Sequence, residues 1–141
     1  MTREVANAFG KVFLTMTYEP QNNLTFNVWQ GYLTLDSIMN GSNVGIDFLT
    51  QTRCPYLLND NSQVVGPWFD SVDWLQRLWA PQAQRLGLRY VAHVLQPHTE
   101  DDLGLLLQHN PFAGKFELQF FTSLADATTW LRDCQRLDNQ A

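Results

Sequence analysis

The 141-residue chain is poor in charged residues, in cysteine and in long apolar runs. Charged residues make up 16% of the sequence and leave a formal net charge of −5. A non-specific nucleic-acid binder needs a basic face that displaces counterions from phosphates, and docking on anionic lipids needs positive charge as well. We therefore expect neither a nucleic acid nor a membrane among the partners of this protein.

No stretch of the sequence is long enough to span a bilayer, and the first residues, "MTREVANAFGKVF", lack the apolar core of a secretory signal. The two cysteines, Cys54 and Cys134, are too far apart for a CxxC motif or another metal-ligand spacing. We expect a cytoplasmic protein in which both cysteines are structural, reduced thiols. The sequence predicts no metal and no cofactor.

What the chain has in quantity is apolar and aromatic residues, at 45% and 13%. This composition is typical of a folded domain with a real core, and the length fits one such domain. We predict a single α/β domain over residues 11–137, with a loose N-terminus over 1–10 and a C-terminal tail over 138–141. The high aromatic share also suggests that some rings lie in a groove or contact surface.

The first half of the chain shows both periodicities. Apolar and polar residues alternate from Val12 to Tyr18 and from Leu24 to Trp29, around the turn "EPQNN", which predicts an antiparallel hairpin. Helical spacing then favours a helix with Thr34 as its N-cap. Asn40-Gly41 inside it would also suit a hairpin turn. The expected inward stripe of this helix is Leu35, Ile38, Met39, Ser42, Ile46 and Leu49.

The second half alternates strands and helices. Tyr56–Leu58 is typical of a buried central strand, and Gly66-Pro67 would open a helix that is kinked at Pro81 and ended by Gly87. The expected inward stripe of that helix is Trp68, Val72, Leu75 and Trp79, flanked by Phe69 and Leu78. A strand over 88–95, a helix over 99–109 and a strand over 115–121 follow. The predicted last helix has a Ser123 cap and the stripe Leu124, Ala127, Leu131 and Cys134.

The predicted order is β-β-α-β-α-β-α-β-α. Strands that alternate with helices imply right-handed crossovers and parallel pairing. We therefore expect one mixed, mostly parallel sheet with the antiparallel N-terminal hairpin at its edge.

Several short motifs in this order resemble the SpoIIAA-like superfamily, which contains the STAS domains and small stand-alone bacterial relatives of unknown role. The motifs are the "W-x-G" of Trp29–Gly31, a strand that ends in Asp60, the "W-x-P" of Trp79–Pro81 followed by Gly87-Leu88, and the "A-x-x-W-L" of Ala127–Leu131. Together they span about Val12 to Leu131. The resemblance implies a non-enzymatic, regulatory domain that acts by protein–protein contact and self-associates as a homodimer.

The resemblance also draws attention to a serine. In the anti-sigma factor antagonists of this superfamily, an Asp-Ser pair opens the helix after the central strand, and a partner kinase phosphorylates the serine. Asp70-Ser71 is the matching pair here, but Val72-Asp73 follows it instead of a glycine-containing segment. A phosphate beside two acids is electrostatically unfavourable, which weakens the case for Ser71.

Polar residues gather where the predicted strands end, at the edge where ligands of open parallel sheets usually bind. Asn59, Asp60, Asn61 and Ser62 follow one strand and His98 follows the next, which makes them a candidate ligand or regulatory edge. Asp60 with His98 would give a hydrolytic or metal-dependent enzyme. The simpler interpretation is that these residues shape turns and cap helices, and that His93 is an ordinary core histidine.

Trp74 lies off the inward stripe of its predicted helix, close to Phe69, and the two form a candidate interaction surface. A second interpretation is a binder of an apolar small molecule or lipid in a groove between sheet and helix. It is motivated by Asn40-Gly41 and Gly45, which weaken the first helix.

Overall fold

The computed structural model of the chain describes residues 1–66, 71–96, 112 and 114–140. The strands in these ranges are β1 (Thr2–Ala6), β2 (Val12–Glu19), β3 (Leu24–Tyr32), β4 (Tyr56–Val65), β5 (Tyr90–Val94) and β6 (Glu117–Phe121). The helices are α1 (Leu35–Thr52), α2 (Val72–Trp74), a π-helical turn (Leu75–Trp79), α3 (Ala80–Arg85) and α4 (Leu124–Gln140). α2, the π turn and α3 follow one another without a break, and together they are called the 72–85 helix.

The six strands form one mixed sheet and lie side by side in chain order. β1, β2 and β3 pair antiparallel, whereas β3, β4, β5 and β6 run parallel. The predicted α/β class with a mixed sheet is thus confirmed. Successive right-handed crossovers that step in one direction put α1 and the 72–85 helix on the same face, and α4 packs against β4, β5 and β6. The predicted helix over 99–109 lies outside the described residues.

The N-terminal residues form a strand, so the prediction of a loose terminus is wrong over Thr2–Ala6. β1 pairs antiparallel with β2 and is the edge of the sheet, which makes the β2–β3 hairpin internal. Only Val5 is buried in β1. A short edge strand with one buried side chain carries almost no period-2 signal, and this explains why the pattern did not reveal it.

Helix α1 is continuous through Asn40-Gly41, so the alternative hairpin turn is wrong. Thr34 caps the helix as predicted, because its Oγ1 accepts a hydrogen bond from the backbone N–H of Ser37 at 3.1 Å. The glycine has a packing reason: a Cβ at Gly41 would lie 2.7 Å from Cη2 of Trp29. The missing side chain lets the helix approach β3 closely.

Strand β4 continues to residue 65, so the prediction that it stops at Asn59–Ser62 is wrong. The pairing with β3 shifts by one residue just after Asp60, which is a β-bulge. Oδ1 of Asp60 accepts a hydrogen bond from the backbone N–H of Ser62 at 2.9 Å. This local bond, which favours a turn in an isolated peptide, here supports a bulge inside the sheet.

The 72–85 helix changes its pitch just before Pro81, and the predicted irregularity there is confirmed. The backbone N–H of Ala80 bonds to the carbonyl of Leu75, five residues back. A proline ring clashes with the carbonyl four residues before it in a regular α-helix, and a wider π turn relieves that contact. Gly87 follows the helix with φ 107°, as expected for its C′ position. The predicted start at Pro67 lies outside the described residues.

Helix α4 runs beyond residue 137, so the predicted C-terminal tail is wrong up to residue 140. Asp138 fixes this last turn to the sheet. Its carboxylate accepts hydrogen bonds from the hydroxyls of Tyr56 and Tyr90 and pairs with the guanidinium of Arg89 at 3.3 Å. A charge-assisted set of this kind ties a helix end that would otherwise fray.

Two leucines that were predicted to face inward, Leu35 and Leu124, are exposed instead, and so is Leu78, which was predicted to flank an inward stripe. Leu35 and Leu124 are the first residues of α1 and α4. At the end of a helix, even a side chain on the inward face is accessible to solvent. Leu78 lies in the π turn, where the residues per turn exceed 3.6 and the spacing used for the prediction no longer applies.

Candidate functional site

A row of polar side chains crosses the middle of the sheet on the face that α1 and the 72–85 helix cover. Asn27 of β3 pairs in register with Asn59 of β4, and Asn59 pairs with His93 of β5. Residues paired in this way point to the same face of a sheet. The flanking members of the row are apolar, Met16 on β2 and Phe120 on β6. The polar row is defined here as Asn27, Asn59 and His93.

Asn59 connects the row to its neighbours. Its Oδ1 accepts a hydrogen bond from Nε1 of Trp29 at 2.8 Å, and because an indole can only donate, this bond fixes the orientation of the amide. Nδ2 then donates to Oδ1 of Asn61 at 3.2 Å and lies 3.1 Å from Nδ1 of His93. Nδ1 must therefore accept, and the neutral imidazole carries its proton on Nε2.

His93 is neutral at physiological pH. Burial lowers the pKa of its imidazole to about 4, and the negative charge of Asp60 opposes this shift only in part. The ring packs edge-on against Phe120, with 5.5 Å between the ring centroids. A general base works best when its pKa lies near the operating pH, so His93 is better suited to hydrogen bonding than to proton transfer.

A cavity of about 140 Å³ lies over the polar row, between the sheet and the two helices. Its apolar wall includes Trp29, Ile38, Phe48, Leu57, Leu75, Trp79, Val91, Phe112 and Phe116. No Asp, Glu, Lys or Arg is among the described residues that line it. An apolar cavity of about 150 Å³ is large enough to hold a benzene molecule. The described wall is thus uncharged, and the space fits one ring-sized group.

Asn27 contributes an unsatisfied group to this wall. The residue is only 9% exposed and lines the cavity. Its Oδ1 has no hydrogen-bond partner within the described ranges. A buried amide oxygen in this state costs roughly 1–3 kcal/mol of stability, and a bound donor would remove that cost.

Only part of the predicted ligand edge comes together at the cavity. Asn59 and Asn61 line it, although they lie within β4 and not beyond its end. Asp60, between them, is buried and by the alternation of a strand points to the opposite face. His98, its predicted partner in an enzyme, lies outside the described residues. The acid–base pair therefore stays a prediction.

The serine and tryptophan candidates differ in burial. Ser71 is 2% exposed and lines the cavity at the start of the 72–85 helix, so a kinase would reach its hydroxyl only after local opening. Ser62 is half-buried in the bulge of β4. Trp74 is half-buried and is not among the described cavity-lining residues. Phe69, its predicted neighbour, lies outside the described residues.

Sequence reasoning missed Asn27 and Trp29 as site residues and treated His93 as an ordinary core histidine. The alternation of β3, which puts Asn27 and Trp29 on one face, was visible in the sequence. The alignment of Asn27, Asn59 and His93 was not, because it depends on the register of three strands that are distant in the chain.

Two further clefts, of about 640 and 250 Å³, lie beside α4. Both are lined by polar side chains such as Gln135, which is half-buried and bonds to the backbone of the β2–β3 turn. In the described part of the chain, no group of three or more His, Cys, Asp or Glu is placed to hold a metal ion. The helices found there include none with the length and apolar character needed to cross a membrane.

Comparison with models of known protein families finds no family that matches this chain, and comparison with curated proteins finds no match. The site is therefore interpreted from its own geometry.

Proposed function

We propose that the protein binds an uncharged, largely apolar small molecule in the cavity between the sheet and its two covering helices. The observation that carries the proposal is a ring-sized cavity whose described wall is uncharged and whose floor is the polar row. Ligand pockets are commonly apolar with a few placed polar groups. Burial of an unpaired charge is expensive, so a carboxylate, phosphate or ammonium group is a poor fit to this wall.

The cover of the cavity supports the same proposal. Leu75 and Trp79, the first and last residues of the π turn, both line the cavity, and π turns often occur at functional sites. Gly41 and Gly45 of α1 also line it. Glycines inside a helix lower its stability, so the helices over the cavity are not optimised for helix stability alone.

Tryptophan fluorescence offers a direct test, because Trp29 and Trp79 line the cavity. We expect toluene to change the emission of the wild-type protein with saturation. Leu57→Phe, which fills part of the cavity, should weaken toluene binding at least about tenfold by steric exclusion. Leu137→Phe makes the same substitution at an exposed position of α4 and should leave binding unchanged.

Native mass spectrometry of untagged protein from its own host addresses the natural ligand. A retained neutral compound would support the proposal and identify its class. If wild-type protein retains nothing and no apolar ring compound binds with saturation, the proposal is wrong.

A second proposal is the protein–protein contact, with self-association, that the SpoIIAA-like resemblance implies. One observation favours it: Tyr32 and Val65, paired in register at the ends of β3 and β4, are 71% and 64% exposed. Phe9, in the turn between β1 and β2, is 96% exposed. Exposed apolar groups that lie near one another often mark contact sites.

Light scattering over a range of concentrations tests self-association. The expected result is a dimer for the wild-type protein and a shift to monomer for Tyr32→Ser. Leu137→Ser removes an apolar side chain that is equally exposed but lies on α4, and it should behave as wild type. A monomer at every concentration would exclude self-association.

A further inference from the structure

The hydrogen bonds of the polar row do not explain why residue 27 has a polar side chain. Both hydrogens of Nδ2 in Asn59 are engaged, by Asn61 and by His93, so Asn59 has none left to donate to its in-register neighbour Asn27. Oδ1 of Asn27 stays without a partner among the described residues. An apolar side chain at this position would avoid the cost of a buried, unsatisfied oxygen. Asn27 therefore lowers stability unless something in the cavity pairs with it.

The cavity limits what that partner can be. Its volume of about 140 Å³ fits one six-membered ring with a small substituent. Charged groups find no counter-charge on the described wall, and the neutral His93 supplies none. A side-chain amide offers both a donor and an acceptor, so its best complement is a group with the same two capacities, a hydroxyl or a neutral amide.

We infer that the ligand of this cavity is a ring-sized neutral alcohol, phenol or amide that hydrogen-bonds to the side chain of Asn27. This inference rests on the proposed binding function and adds a selectivity to it. The apolar wall holds the ring, and Asn27 distinguishes a ring with a hydroxyl from a hydrocarbon of the same shape. A site built to pair with a polar group discriminates against analogues that lack the group, because its own polar atom is then left unpaired.

The test compares three probes of one shape: toluene, phenol and benzoate. For each protein the ratio of the toluene Kd to the phenol Kd is measured by fluorescence titration at pH 7. Asn27→Leu keeps the number of side-chain heavy atoms but removes the amide, and it should lower this ratio about threefold to tenfold, the value of one net hydrogen bond. The ratio is the readout because the larger leucine takes up cavity volume and weakens both probes by the same steric effect.

Met16→Leu is the matched control. Met16 lines the same cavity and is the in-register neighbour of Asn27 on β2. The change alters the shape of the wall without altering its polarity, so both Kd values should move together while their ratio stays at the wild-type value. A measurement that needs no variant is the NMR signal of the Asn27 side-chain amide. Both probes shift this signal through their ring currents, and phenol should shift it further because it also forms the hydrogen bond.

The outcomes separate the inference from the function on which it rests. If toluene and phenol both bind but Asn27→Leu leaves the ratio of their Kd values unchanged and both probes shift the amide signal equally, the role of Asn27 is wrong and the binding function stands. Benzoate bound as tightly as phenol would overturn the neutral ligand class. If none of the three probes binds the wild-type protein, the binding function falls and the inference with it.

Discussion

The two faces of the central strands differ by a single step in the sequence. Phe26, Leu58 and Ala92 form an in-register row toward α4, and the next residue of each strand, Asn27, Asn59 and His93, forms the polar row toward α1 and the 72–85 helix. Adjacent residues of a strand point to opposite faces. One set of strands can therefore hold a close-packed layer and a layer with polar groups at the same time.

The helices that cover the two faces also differ, in how regular they are. α4 is an unbroken helix of 17 residues whose Ala127 and Leu131 are almost completely buried. Its aromatic neighbours include Tyr56 and Tyr90, stacked with 5.5 Å between centroids. The opposite cover contains helix glycines and a π turn. Buried apolar contacts beneath α4 supply stability that a cavity and an unsatisfied amide on the other face reduce.

The largest expected difference between the faces is in their response to acid. The folded-state pKa of His93 is lowered to about 4 from 6.5, so between these values the unfolded chain binds a proton that the folded protein does not. Stability should therefore fall as the pH drops from about 6.5 to about 4, by about 3 kcal/mol from this group. Below that range the loss levels off.

Urea unfolding of wild type and His93→Gln at several pH values isolates this contribution from that of the carboxylates. The advantage of wild type over His93→Gln in unfolding free energy should be constant above pH 7. It should then fall as the pH drops from about 6.5 to about 4. An NMR titration of His93 in the folded protein gives the pKa directly, and an ordinary value near 6.5 would contradict the buried, neutral imidazole.

The same substitution at two residues of β5 tests the packing of the two faces. Val94 is buried in the apolar cluster beneath α4, so Val94→Leu adds volume to filled space and should destabilise the protein by roughly 1–3 kcal/mol. Val91 lines the cavity, so Val91→Leu should cost less than about 1 kcal/mol, because it fills space that is empty. Urea unfolding measures both. Equal costs would mean that the two faces are packed alike.

The sequence predicts the elements of this protein better than its site. The predictions of β2, β3 and α1 rest on local patterns, a period of two residues for the strands and of 3.6 for the helix. The structure confirms these elements. Asn59–Ser62 has the composition of a turn, yet it is part of β4, because tertiary contacts satisfy side chains that would otherwise bond to local backbone. Local chemistry thus gave the wrong end for this strand.

The candidate site depends on information that a single sequence does not contain. Asn27, Asn59 and His93 are separated by more than thirty residues at each step, and only the strand register puts them side by side. Trp29 reaches Asn59 for the same reason. The sequence pattern assigns Asn59 to a turn, His93 to an ordinary core position and Asn27 to one side of an alternating strand, so nothing in it connects the three.

The clamp on α4 is expected to have a smaller effect than the packing beneath it. Asp138→Asn removes the charge that Arg89 pairs with and one of the acceptors used by Tyr56 and Tyr90. Since Arg89 is mostly exposed, solvent reduces the value of the ion pair, and we expect a loss of about 1 kcal/mol. Asp133→Asn, at a surface pair with Arg136, is the control and should change unfolding free energy by less than about 0.5 kcal/mol.

Two further small effects are expected to have opposite signs, at two glycines of α1 that both line the cavity. A Cβ at Gly41 would lie 2.7 Å from the ring of Trp29, which its bond to Asn59 holds in place, so Gly41→Ala should destabilise by about 1 kcal/mol even after the gain in helix propensity. At Gly45 the nearest atom is Sδ of Met16 at 3.9 Å, an ordinary contact. Gly45→Ala should therefore stabilise by about 0.5 kcal/mol. Thermal unfolding of the two variants decides the point: if both stabilise, α1 does not lie on Trp29 as closely as the structure has it, and the cavity is wider at this wall.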